Sequence, residues 1–132
     1  MPSLSEIFGR PRKLPAELRA ELEMDAQLLL LEDLRGSVTL RDYRAPRRYS
    51  SFSRESTSGA IGIGQTKLIV VSRRNFLIRL PRSPLPDGFE VSVDGDAIRF
   101  TYDAAKFRDD TSGTVEVKLK TDQAAYAASL LG

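Results

Sequence analysis

Two hydrophobic periods divide the chain near Gly36. Before it, Leu18, Leu22, Ala26 and Leu29 recur at helical spacing, in a stretch without Gly or Pro after Pro15. Pro15 suits a first helical turn, and Glu17 and Glu21 lie near the positive end of the helix dipole. Leu28, Leu30, Leu31 and Leu34 widen the apolar stripe until the last turns are apolar nearly all round. The spacing predicts a leucine-rich helix within residues 15–35, stopped by Gly36 as a C-terminal cap. Residues 1–14, with Pro2, Gly9 and Pro11 and no sustained period, read as a flexible arm.

After Gly36 the period is two. Val38 and Leu40 open one strand, Tyr49–Ser53 is a second and Ala60–Gly64 a third, its glycines permitting a bend. Lys67–Val71 is continuously apolar, as expected of a strand covered on both faces. Arg73-Arg74-Asn75 makes a turn, and Phe76, Ile78 and Leu80 alternate with Leu77 and Arg79. Pro81, Pro84, Pro86 and Gly88 form a loop. Phe89, Val91 and Val93 then lead through Asp94-Gly95-Asp96, a hairpin turn, to Ile98, Phe100 and Tyr102. Residues 103–108 make a helical turn, Val115, Val117 and Leu119 a last strand, and residues 123–131 a short final helix. The order is helix, seven or eight short antiparallel strands, helix. Such strands close into a small barrel or sandwich, which hides their edges, in residues 36–132.

Length and composition narrow the classes. The chain has 132 residues and an apolar fraction of 41%, sufficient for one core. It has no apolar run long enough to span a membrane and no N-terminal signal pattern, so a cytoplasmic location is expected, with room for peripheral membrane association. Cysteine and histidine are both absent, which removes thiolate nucleophiles, the usual zinc ligands and the commonest general base. The expectation is a protein that is not an enzyme and needs no cofactor or metal. The net charge of +2 hides a basic middle: residues 41–82 carry ten basic and two acidic side chains. That segment is either a surface for anions or a complement to the acidic remainder of the chain.

Thr66-Lys67-Leu68-Ile69-Val70-Val71-Ser72-Arg73-Arg74-Asn75-Phe76-Leu77-Ile78, a strand, a basic turn and a strand, resembles the pleckstrin-homology-like (PH-like) fold, in particular small bacterial PH-like domains. The late strand and final helix also fit, so that the resemblance covers about residues 37–131. It implies a PH-like barrel and a binding role. The chain departs from the pattern in its N-terminal helix and in having no tryptophan for the C-terminal helix. In phosphoinositide-binding members, basic residues flank the first strand–strand loop, and residues 41–48 are similar in position.

Three sets of side chains are candidates for chemistry. Arg41, Arg44, Arg47 and Arg48 surround Pro46, and three converging guanidiniums would hold a phosphate; alternatively they are a solvated edge. In an extended segment Arg44 and Arg48 would share a side, with Arg47 opposite. Arg73 and Arg74 could join that rim, and Tyr43, Tyr49 and Phe52 could stack on bases, enter a lipid interface or simply cover an edge. Asp94, Asp96, Asp103, Asp109 and Asp110 read as turn and loop residues more readily than as a metal or carboxylate site. Leu28, Leu30, Leu31 and Leu34 are either an oligomer contact or core. The expected function is a binding module engaging a protein partner or an anionic membrane or polyanion surface, with homo-oligomerisation through the leucines. Nucleic-acid association through the same arginines and a carboxylate enzyme are the alternatives.

Overall fold

The computed structural model describes residues 13–72, 76–82 and 84–131. Helix α1 (Ala16–Met24) is followed by β1 (Leu29–Ala45), β2 (Arg48–Ile63), β3 (Lys67–Ser72), β4 (Phe76–Pro81), β5 (Phe89–Asp94), β6 (Ala97–Asp103), a 3-10 turn (Ala104–Lys106), β7 (Ser112–Lys120) and α2 (Ala124–Ser129). Seven antiparallel strands make one curled half-barrel in the order β4-β3-β2-β1-β7-β6-β5. β1 and β2, of 17 and 16 residues, form one long ribbon that absorbs the three strands expected over residues 38–64.

The concave face holds the main core. Leu31, Val38, Leu40, Ile61, Leu68 and Val70 meet Ile98, Phe100, Val115 and Leu119 there, and α2 closes it with Ala124, Ala127 and Leu131. On the convex face α1 lays Leu22 over Ala60, Ile69 and Val71, with Leu14 beside it. The two clusters explain the continuous apolar run of β3: Leu68 and Val70 point one way, Ile69 and Val71 the other.

The leucine-rich helix predicted through residue 34 stops at Met24. Asp25 caps it and Ala26 takes φ +53°. The Asp25 carboxylate accepts from the Thr66 backbone N–H (2.9 Å), the Thr66 hydroxyl (2.7 Å) and the Lys67 N–H (3.1 Å). The chain then re-enters the sheet at Leu29, which pairs with Ile63. Leu29 and Leu31 serve the main core, while Leu30 packs on the convex cluster. A strand buried on both faces and a helix apolar all round leave the same mark in a sequence. Leu34 packs against the main core beyond a bulge at Asp33 (φ +58°), and Leu28 is 45% exposed. The four leucines therefore form no single helical face. Gly36 is not a cap either: it sits inside β1, opposite Leu119 and Thr57.

Hydrogen bonds from Lys67 and Arg79 hold the Glu21 carboxyl below its ordinary 4.5, and those from Thr66 hold Asp25 below 3.8. A depressed folded pKa adds stability that is complete above the ordinary value and is lost as pH falls through the folded value. Acid should therefore loosen the attachment of α1. The Glu21→Gln/Asp25→Asn double variant is expected to show a flatter melting temperature against pH than the parent, from neutrality down through the carboxylate range. Parallel profiles would exclude this origin of acid sensitivity.

Candidate binding site

The ends of β1 and β2 form an arm in which β1 is also held by β7 while β2 is an exposed edge. β7 pairs with β1 only over residues 36–44 and β3 with β2 only over residues 59–63, so residues 48–58 of β2 have β1 as their sole strand partner among the described residues. The turn is Pro46-Arg47, with Arg47 at φ +63° and Ala45 paired to Arg48. Proline at the first central position and a positive φ at the second are the requirements of a type II turn.

This turn corrects the expectation that Arg44 and Arg48 share a side. The chain reverses between them, so Arg48 lies across from Ala45, and Arg44 lies across from Tyr49. Cross-strand partners share a face, which puts Arg44 and Arg48 on opposite faces of the ribbon. Each guanidinium lies over an aromatic ring: Arg44 over Tyr49 (4.7 Å to the centroid), Arg48 over Tyr43 (5.9 Å), and both Arg41 and Arg54 over Phe52 (5.9 Å each). Tyr49 is 58% and Phe52 56% exposed. Such stacking is worth about 0.5–1 kcal/mol at an exposed site, so it orients these side chains without satisfying their charge.

Lys67, Arg79 and Arg82, further along the basic middle, are used internally. Glu21 of α1 takes Lys67 (2.9 Å) and Arg79 (2.7 Å). Arg82 donates to the carbonyls of Gln65 (3.0 Å) and Leu130 (2.6 Å). By contrast, Arg41, Arg44, Arg47, Arg48 and Arg54 form no ion pair with a described residue. The two readings of the basic segment thus divide along the chain: its β3–β4 part complements the protein's own acid and carbonyl groups, and its β1–β2 part is left for solvent or a ligand. Arg73 and Arg74 lie outside the described residues.

Beside the arm opens a cavity of about 490 Å³. A bulge on β1, where Asp42 has φ +50° and the register to β7 slips between Arg41 and Arg44, twists the ribbon so that Tyr43, Ala45 and Arg48 line it. Gly113 accepts this bend at φ +96°, since a Cβ there would stand 2.4 Å from the Asp42 carbonyl oxygen. The floor is Ile78, Leu80, Phe89, Phe107 and Val115. Phe89, Tyr102 and Phe107 form an aromatic triad with centroids 5.5–6.3 Å apart. Burial pushes the Tyr102 phenol up to about 12, so it is a neutral hydrogen-bond donor at any physiological pH.

These cavity residues are dispersed in sequence, and the arginine pattern does not single them out. The hairpin turn does contain a clue: closure at Asp94–Ala97 sets Phe89 opposite Tyr102. The acids of this half have structural partners. Asp94 binds Arg99 and Lys118, Asp103 accepts from the Ala105 N–H that opens the 3-10 turn, and Asp110 pairs with Arg108. Asp96 and Asp109 are exposed. Among the described residues no group of acids could hold a metal ion, and no helix is long and apolar enough to cross a membrane. Comparison of the chain with protein-family models, with curated proteins and with solved structures gives no match.

Proposed function

We propose that this protein is a non-enzymatic binding module of PH-like fold whose β1–β2 arm docks on an anionic membrane surface. The observation that carries the reading is the division of the arginines. Arg41, Arg44, Arg47 and Arg54 stand exposed on the arm without carboxylate partners among the described residues, interleaved with exposed Tyr49 and Phe52, while Lys67 and Arg79 of the sheet body are held by Glu21 and Arg82 by backbone carbonyls. Arginine beside exposed aromatic rings suits a lipid interface, where the ring enters the headgroup layer and the guanidinium meets phosphate. Seven antiparallel strands followed by a C-terminal helix support the PH-like reading.

The test is co-sedimentation with phosphatidylserine-containing vesicles and with neutral phosphatidylcholine vesicles. Binding to the first and not to the second is expected. Each basic residue near an anionic surface contributes about 1 kcal/mol, so neutralising Arg41, Arg44 and Arg47 together should weaken binding by about two orders of magnitude. Unchanged binding of the triple Ala variant would refute the reading. A preference for single-stranded DNA over vesicles, with steep salt dependence, would select the nucleic-acid alternative.

A further inference from the structure

We propose that the cavity between the arm and the β5–β6 hairpin binds a single-chain carboxylate amphiphile, a free fatty acid. Its volume of about 490 Å³ falls in the ordinary range for small-molecule sites. Its floor of Ile78, Leu80, Phe89, Phe107 and Val115 presents no side-chain hydrogen-bonding group, which suits an alkyl chain. Three arginines contribute to its lining, and their guanidiniums are not equivalent. The Arg79 guanidinium is turned to Glu21 of α1 and Arg108 is paired with Asp110, whereas Arg48 pairs with no carboxylate among the described residues and lies over the Tyr43 ring. One unpaired cation at the mouth of an apolar chamber matches one anionic head on an apolar body. Tyr43 and Tyr102 line the same wall, and neither phenol hydroxyl bonds to a described residue, so both can donate to a carboxylate. Arg48 faces this chamber while Arg44 lies on the opposite face of the ribbon, so the site is distinct from the exposed surface of the arm.

Isothermal titration of the protein with decanoate, below its micellar concentration, tests the proposal, with decanol as the uncharged control. Decanoate should bind and decanol should bind more weakly. Arg48→Ala should weaken decanoate binding by about tenfold or more, the loss of one charge-assisted hydrogen bond, and leave decanol unaffected. Ala45→Trp, at the hairpin end, should fill the mouth and remove both without touching the core; circular dichroism checks that each variant is folded. If Ala45→Trp does not fold, Leu80→Trp replaces it at the cavity floor. No binding of decanoate, binding undiminished in Arg48→Ala, or full binding in a folded cavity-filling variant would each overturn the proposal. The vesicle experiment uses Arg41, Arg44 and Arg47, so the two readings can fail separately.

Discussion

Gly36→Ala is expected to cost more than about 4 kcal/mol, most of the stability of a domain this size, and to leave little folded protein. Gly36 lies where β1 is flanked on both sides, by Thr57 of β2 and Leu119 of β7. A Cβ there would stand 1.7 Å from the Lys118 carbonyl oxygen and 2.9 Å from the Leu119 Cα. Both are backbone atoms, so relief requires β7 to move away from β1, and β7 carries Val115, Val117 and Leu119 into the core. Gly95→Ala is the control. It sits in the β5–β6 turn at φ +61° with nothing within 4 Å of a new Cβ, so only the left-handed backbone is penalised, by about 1–2 kcal/mol. Urea denaturation compares the two. A Gly36→Ala protein within about 1 kcal/mol of the parent would show that β1 and β7 do not meet in this register.

A comparable effect is expected at Leu31, and it separates core from interface among the leucines. Leu31 is 8% exposed in the main core and pairs with Ile61. Leu31→Glu forfeits about 1.5–3 kcal/mol of burial and strands a carboxylate in apolar surroundings, a further cost of several kcal/mol. The sum rivals the total stability of the domain, and circular dichroism should report an unfolded chain. Leu28, at 45% exposure, should accept glutamate at a cost within about 1 kcal/mol. Light scattering on the parent and Leu28→Glu completes the test. An assembly held by these leucines would draw on exposed Leu28, and its loss in that variant would support the oligomer reading. Folded, soluble Leu31→Glu would contradict the core described above.

The part of the chain after Lys67 was legible because each element carries its own signals. The alternation of Phe89, Val91 and Val93, the Asp94-Gly95-Asp96 turn, and the returning Ile98, Phe100 and Tyr102 lie within 14 residues, and local geometry sets their register. Val115, Val117 and Leu119 show the same alternation, and all three are core residues. The arginine-rich segment was also visible, as were its interleaved aromatics. Its division into internally paired and solvent-facing groups was not, because the partners are remote: Glu21 lies 46 residues from Lys67 and 58 from Arg79.

Residues 25–36 mark the boundary between the two kinds of information. Helix propensity and leucine spacing agree on a helix there, and the chain nonetheless forms a strand. The reason lies in contacts that no local window contains. The Asp25 carboxylate ends α1 by taking hydrogen bonds from Thr66 and Lys67, and Ile63 and Gly62 supply the strand edge on which Leu29 and Leu30 pair. The apolar surface on both sides of Leu29–Leu31 is then covered, by the barrel core on one face and by α1 on the other. Local spacing thus determined that Leu29–Leu31 present an apolar surface that needs cover, since their hydrophobicity is a property of the residues themselves. Only the tertiary structure decided between helix and strand, because burial on two faces stabilises either backbone and the available hydrogen-bonding edge breaks the tie. The same holds for the arm: composition determined that residues 41–54 are basic and aromatic, while the reversal at Pro46-Arg47 and the bulge at Asp42 decided which arginine faces the cavity and which faces solvent.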